Sequence, residues 1–184
     1  MTLARADDSV LVVVDIQEKL APAMARDTRR QVYTITQTLL TAAKELAIPV
    51  LVTEQYPKGL GGTVPEVADH FPAERRVIAK DTFSCCERAE FNEALAATGR
   101  GQVIIAGMEA HVCVLQTAIQ LREAGYLPQV VSEGVCSRQE DHKANALARL
   151  GHAGVVVTNV ESVLMEWLQR AGTDSFRRLS KLIR

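Results

Sequence analysis

The sequence predicts an α/β protein: an open, doubly wound, six-stranded parallel sheet with helices on both faces, Rossmann-like in its winding. Three observations carry that expectation. Apolar runs of strand length alternate with segments of helical spacing along the whole chain. The first apolar run, Ser-Val-Leu-Val-Val-Val, is continuous and β-branched, as a strand covered on both faces should be. Glycines stand where helices should close, at Gly99, Gly125 and Gly151. Strands separated by helices imply right-handed crossovers and one parallel sheet.

Each element has its own local reason. Residues 9–14 form the first strand. Residues 28–47 have helical spacing, with Val32, Ile35, Leu39, Ala43 and Leu46 on one side. Short strands are expected over 49–53 and 76–79, separated by an irregular stretch, 54–74. A loop that long inside a compact domain is usually functional. A helix over 87–97 leads to a strand over 102–106, and a helix over 112–124 to a strand over 128–132. A helix over 139–150, a strand over 154–158 and two terminal helices, 160–169 and 175–183, complete the chain. The length of 184 residues fits a single domain, 1–184.

Composition narrows the function. Hydrophobic residues make up 47% and charged residues 23%, the balance of an ordinary globular protein. A formal net charge of -1 does not favour nucleic acid, because neutralising phosphates needs a basic face. Aromatic residues are 4%, too few for a base-stacking surface. The run ending in Val14 is too short to cross a bilayer, and the first eight residues carry Asp7 and Asp8 without a signal-type apolar core. A cytoplasmic protein with no membrane partner is expected. The four cysteines show neither zinc-type nor disulfide-framework spacing, so thiols are expected.

In open parallel sheets, ligands bind beyond the carboxyl ends of the strands. Four ends here turn abruptly from apolar to reactive side chains: Asp15-Ile16-Gln17, Thr53-Glu54-Gln55-Tyr56, Lys80-Asp81-Thr82-Phe83, and Gly107-Met108-Glu109-Ala110-His111-Val112-Cys113. Cys113 falls where the fourth strand's loop enters a helix. The positive end of a helix and a nearby Lys80 should favour its thiolate. Asp15 could then take the thiol proton or hold the ammonium. Together the three make an activated nucleophile. Separately each has a plainer role: a core thiol, a helix cap, a surface ion pair. His111 is a weaker base for Cys113, since residues two apart do not face each other on a helix, and it is expected to line the mouth of the site or cap the loop. Gln17, Gln55, Tyr56, Phe83 and His111 are the candidate substrate contacts. Cys136 reads as packing, and Cys85 and Cys86 as neighbours of the pocket without a catalytic part. The histidines lack metal-ligand spacing, so neither a metal nor another cofactor is expected. The first strand is not followed by GxGxxG, which counts against a dinucleotide binder.

At these residues the sequence resembles the isochorismatase-like cysteine hydrolase superfamily. The matching pieces are Val12-Val13-Val14-Asp15-Ile16-Gln17, Lys80-Asp81-Thr82-Phe83-Ser84, and Gly107-Met108-Glu109-Ala110-His111-Val112-Cys113-Val114. Thr53-Glu54-Gln55-Tyr56-Pro57-Lys58-Gly59-Leu60, Phe83-Ser84-Cys85-Cys86 and Phe176-Arg177-Arg178-Leu179 are similar to the branch of isochorismatase domain-containing proteins. The resemblance implies a catalytic triad of Asp15, Lys80 and Cys113. It also implies a cis peptide between Met108 and Glu109, with the Glu109 and Cys113 amides as oxyanion hole. Metal-dependent nicotinamidases of the superfamily carry Asp-x-His where this chain reads Thr53-Glu54-Gln55, which argues against a catalytic metal. True isochorismatases lack the nucleophilic cysteine, so Cys113 argues against isochorismate. The expected activity is metal-independent hydrolysis of a C–N bond in a small amide or carbamoyl-type substrate through a thioester. The alternative is a catalytically silent binding or scaffold protein on the same fold. The resemblance also implies a homo-oligomer, a dimer or a multiple of dimers, and the apolar side of the last helix (Phe176, Leu179, Leu182, Ile183) could pack on a neighbour.

Overall fold

The computed structural model describes residues 3–183. Its centre is a six-stranded sheet in the order β3-β2-β1-β4-β5-β6, every neighbouring pair parallel. The strands are β1 (Ser9–Val14), β2 (Val50–Gln55), β3 (Arg76–Lys80), β4 (Gln102–Met108), β5 (Leu127–Cys136) and β6 (Val156–Thr158). The winding reverses at β1, which lies between β2 and β4. Among the described residues no helix is long and apolar enough to cross a membrane.

Alternation along β1 divides the core in two. Leu11 and Val13 face helices α1 (Arg26–Glu45) and α7 (Val160–Leu168), among Val32, Leu39, Leu40, Val163 and Trp167. Val10, Val12 and Val14 face the other layer, among Phe91 and Leu95 of α4 (Ala89–Ala97), Leu115 and Leu121 of α5 (Leu115–Glu123) and Leu150 of α6 (Glu140–His152). Successive strand residues point to opposite faces, so one apolar run supplies both layers. The Trp167 indole N–H donates to Ser9 Oγ at 2.9 Å, satisfying the one polar atom that the ring carries into the core.

Several expected boundaries shift. The stretch 54–74 is not structureless. It holds two single helical turns, α2 (Pro57–Leu60) and α3 (Pro65–Ala68), and Thr63 bridges back to Gln17. The fifth strand runs on to Cys136 through an irregularity in its pairing with β4. Gly151 lies inside α6, and Gly154 takes the positive φ after it. The last helix is split into α8 (Asp174–Leu179) and a 3-10 turn. Its Leu179 is buried in this chain's own core and Ile183 packs against that core, which leaves Leu182 as the exposed apolar side chain there. Half of the face expected to meet a neighbour is therefore already covered. Arg178 pairs with Glu45 and Arg177 with Asp174, while Arg184 lies outside the described residues.

Gly107 fixes the spacing at the winding reversal. Its φ is +134°, and a Cβ there would fall 2.0 Å from the Val14 carbonyl oxygen. Only glycine lets β4 run this close to the end of β1.

Candidate active site

Asp15 follows β1 directly and has φ +51°. This left-handed conformation is one that aspartate tolerates better than most residues. Its side chain is fully buried. Thr53, opposite Val14 in the register of β2, donates its hydroxyl to Asp15 Oδ1 at 2.8 Å. Lys80, the last residue of β3, brings Nζ to 2.7 Å from Oδ2, and both side chains of this ion pair are fully buried.

Three neutral acceptors share the ammonium with Asp15. Nζ donates to Gln55 Oε1 at 2.6 Å and to the carbonyls of Thr82 and Phe83 at 3.1 and 3.0 Å. Burial works against the charge on Lys80, but Asp15 together with the neighbouring Cys113 and Cys85 outweighs it, and the net displacement is upward from the usual lysine value. Lys80 is thus a fixed cation, fastened to the β2 and β3 ends.

Cys113 lies in a π-helical turn, Ala110–Val114, which feeds into α5. It is 5% exposed. Burial pushes its thiol far above the ordinary value, Asp15 adds to this by charge and by hydrogen bonding, and Lys80 opposes both. The expectation of a standing thiolate is corrected here. Cys113 is not in the first turn of a regular α-helix, and its surroundings are too dry for a free anion. The arrangement is a neutral thiol beside a buried carboxylate that is ion-paired to Lys80.

The Met108–Glu109 peptide is cis. The Glu109 side chain is buried and turns toward Arg138, whose backbone N–H and Nε donate to Oε2 at 3.1 and 3.2 Å. His111 Nδ1 pairs with Ser137 Oγ at 2.9 Å, and its ring lies 4.8 Å from that of His142. Burial holds His111 below the usual histidine range. Its ring is engaged away from the thiol, in the loop after β5.

The other candidate contacts divide. Tyr56 and Phe83 are 58% and 56% exposed, so neither is core. Tyr56 lines an open cavity of about 420 Å³ with Pro57, Lys80, Asp81 and Arg88. Gln55 is held by Lys80 and donates to the Asp81 carbonyl. Gln17 differs from expectation. Its amide N–H groups go to the Gln55 and Gly61 carbonyls, and its Oε1 accepts from the Gln55 backbone N–H. Fully buried and saturated in this way, it fastens the loop after β2 and has no polar atom facing a ligand.

Two residues at the centre were given no contact with Asp15 by the sequence analysis. Thr53 is fully buried on Asp15, and the Cys85 S–H points to Thr53 Oγ1 at 3.7 Å. Cys85 is in turn held through its backbone N–H by Thr117 Oγ1 at 2.9 Å. Burial raises its thiol to about 11. A polar β-branched residue at the end of an apolar strand, in register beside Asp15, was the available signal for Thr53. Cys136 is packing, fully buried opposite Met108, as its position in the sequence indicated. No cluster of three or more metal-binding side chains occurs among the described residues.

Comparison with known proteins places this geometry. The family model described as "Isochorismatase domain" matches residues 9–162. Isochorismatase domain-containing protein 2 of Danio rerio is 36% identical over 176 residues, covering 95% of this chain and 86% of that protein. Among solved structures, the MAR1 ribonuclease of Caenorhabditis elegans superposes with a TM-score of 0.92 at 34% identity, covering 99% of this chain and 92% of that one. The YcaC gene product of Escherichia coli, described as an octameric hydrolase of unknown specificity, superposes with a TM-score of 0.90 at 25% identity, covering 99% of this chain and 91% of that one.

Proposed function

Given that the chain belongs to the isochorismatase domain family, we propose that it is a metal-independent cysteine hydrolase acting on a C–N bond of a small amide or carbamoyl-type substrate. The observation that carries this reading is the buried carboxylate of Asp15, ion-paired to Lys80 at 2.7 Å and coupled to the neutral Cys113 thiol. As Cys113 Sγ attacks the substrate carbonyl carbon, its proton passes to Asp15 Oδ2. Lys80 holds the site's charge nearly constant, since its own proton is not given up. The oxyanion is received by the backbone N–H groups of Glu109 and Cys113. When the C–N bond breaks, Asp15 returns the proton to the leaving nitrogen, and an acyl group remains on sulfur. Water then attacks the thioester, Asp15 takes its proton, and the carboxylic (or carbamic) acid leaves as the thiol re-forms.

Tyr56 and Phe83, exposed beside the Lys80 end of the sheet, suit the apolar part of a small substrate. The ribonuclease activity named for the Caenorhabditis elegans relative is less suited to this chain, whose formal net charge is -1. We also propose a cytoplasmic location and a homo-oligomer, the latter supported by the octameric Escherichia coli neighbour. Light scattering that finds only monomer would remove the second.

The test is a screen of small amides and carbamoyl compounds, with Cys113→Ala as control. Turnover by the native chain and none by the variant is the expected result. Equal turnover by both rules the mechanism out. The depth of Cys113 favours a second reading, a binding protein that keeps the fold without turnover. That reading is favoured if the native chain binds such compounds and never forms a covalent adduct with them.

A further inference from the structure

We propose that Thr53 is a positioning residue for the base: its hydroxyl holds Asp15 Oδ1, so that Oδ2 is the oxygen that exchanges the proton with Cys113. This inference rests on the reading of Asp15 as the base for Cys113.

The direction of each hydrogen bond is set by chemistry. A carboxylate only accepts, so the proton on Thr53 Oγ1 lies toward Asp15 Oδ1, 2.8 Å away. Thr53 Oγ1 then keeps a lone pair for the Cys85 S–H at 3.7 Å. Burial keeps Cys85 protonated, so it stays a donor at neutral pH. Thr117 fixes Cys85 from behind through the backbone N–H. The Cys85, Thr53 and Asp15 side chains thus form one directed series through an otherwise apolar layer, with Thr117 holding the Cys85 backbone and all four residues fully buried. The series ends on one carboxylate oxygen only. The other oxygen, Oδ2, faces the Lys80 ammonium at 2.7 Å. A carboxylate free to rotate would present either oxygen, and one held at Oδ1 cannot.

The hydroxyl does a second thing. A donor to the ionised carboxylate stabilises that charge in a dry site, and Thr53→Val removes it. The titratable groups facing Asp15 among the described residues are Lys80 from the β3 end, Cys113 from the π-helical turn and Cys85 from the 3-10 turn before α4. An apolar isostere at Thr53 leaves Lys80 and Cys113 in place and removes the acceptor of the Cys85 S–H together with the donor to Asp15.

The experiment needs no substrate. The probe is iodoacetamide, and the readout is the rate of alkylation at Cys113 at pH 7, followed by peptide mass spectrometry. Thr53→Val should slow labelling about tenfold, Thr53→Ala should do the same, and Thr53→Ser should restore the native rate. A role in packing alone would lower the melting temperature of Thr53→Val without slowing labelling. Native-rate labelling in both hydroxyl-free variants, with Asp15→Asn slowed, overturns this inference and leaves Asp15 as base. Native-rate labelling in Asp15→Asn as well overturns both. If neither variant folds, the native chain decides by NMR: a slowly exchanging Thr53 hydroxyl proton supports the hydrogen bond to Asp15, and a rapidly exchanging one overturns it.

Discussion

Asp15 and Lys80 lie 2.7 Å apart with both side chains fully buried, and the same ammonium donates to Gln55, Thr82 and Phe83. Lys80 is thus anchored by neutral acceptors as well as by Asp15. Its removal should leave a buried carboxylate without compensation. Lys80→Met is expected to lower stability by about 3–5 kcal/mol, measured by the urea midpoint. A midpoint within experimental scatter of the native one would mean that Asp15 is compensated elsewhere.

Gly107 admits no side chain. A Cβ would sit 2.0 Å from the oxygen and 2.7 Å from the nitrogen of Val14, both backbone atoms of the central strand. Gly107→Ala is expected to cost more than about 4 kcal/mol, or to prevent folding. Thermal unfolding checks this, and a melting temperature like that of the native chain would show that β1 and β4 can separate without penalty.

Gln17 holds the loop after β2 by three hydrogen bonds from a fully buried amide. Gln17→Leu fills similar space and leaves the Gln55 N–H and two carbonyls unpartnered. The expected loss is about 2–3 kcal/mol, with new proteolytic cleavage between residues 55 and 63. If the loop resists protease as before, its order has another source.

Alkaline pH should destabilise the fold. Burial raises Cys85 to about 11 and Cys86 and Cys136 to about 12, and it raises Cys113 as well. The unfolded chain releases these protons at the ordinary thiol value of 9.0, whereas the folded chain retains them. The stabilisation is therefore fully present below 9.0 and is lost as pH rises from there through the folded values. Melting temperature should fall progressively above pH 9, and Cys136→Ala should flatten that fall. A flat profile from pH 8 to 11 would contradict the burial of these thiols.

Much of this was legible in the chain because strand ends are marked by a change of residue type. Val14 to Asp15, Ala79 to Lys80 and the passage from Gly107 to Cys113 each switch from apolar to reactive side chains, and the parallel sheet gathers them on one rim. The Thr53–Asp15 and Cys85–Thr53 contacts span 38 and 32 residues, and no local pattern pairs them. Gln17 misled because an amide beyond a strand looks the same whether it meets a ligand or its own loop. The thiol's protonation was misjudged because local charge can be read from sequence and desolvation cannot. The turns within 54–74 were hidden by their brevity, four residues each, below the length at which helical spacing shows.

The most direct measurement is the rate at which iodoacetamide labels Cys113 at pH 7 in the native chain and in Asp15→Asn, with circular dichroism confirming that the variant is folded. Transfer of the thiol proton to Asp15 requires labelling to slow by about 100-fold or more in the variant. Labelling at the native rate would show that Cys113 reacts without that carboxylate, and would contradict the central claim.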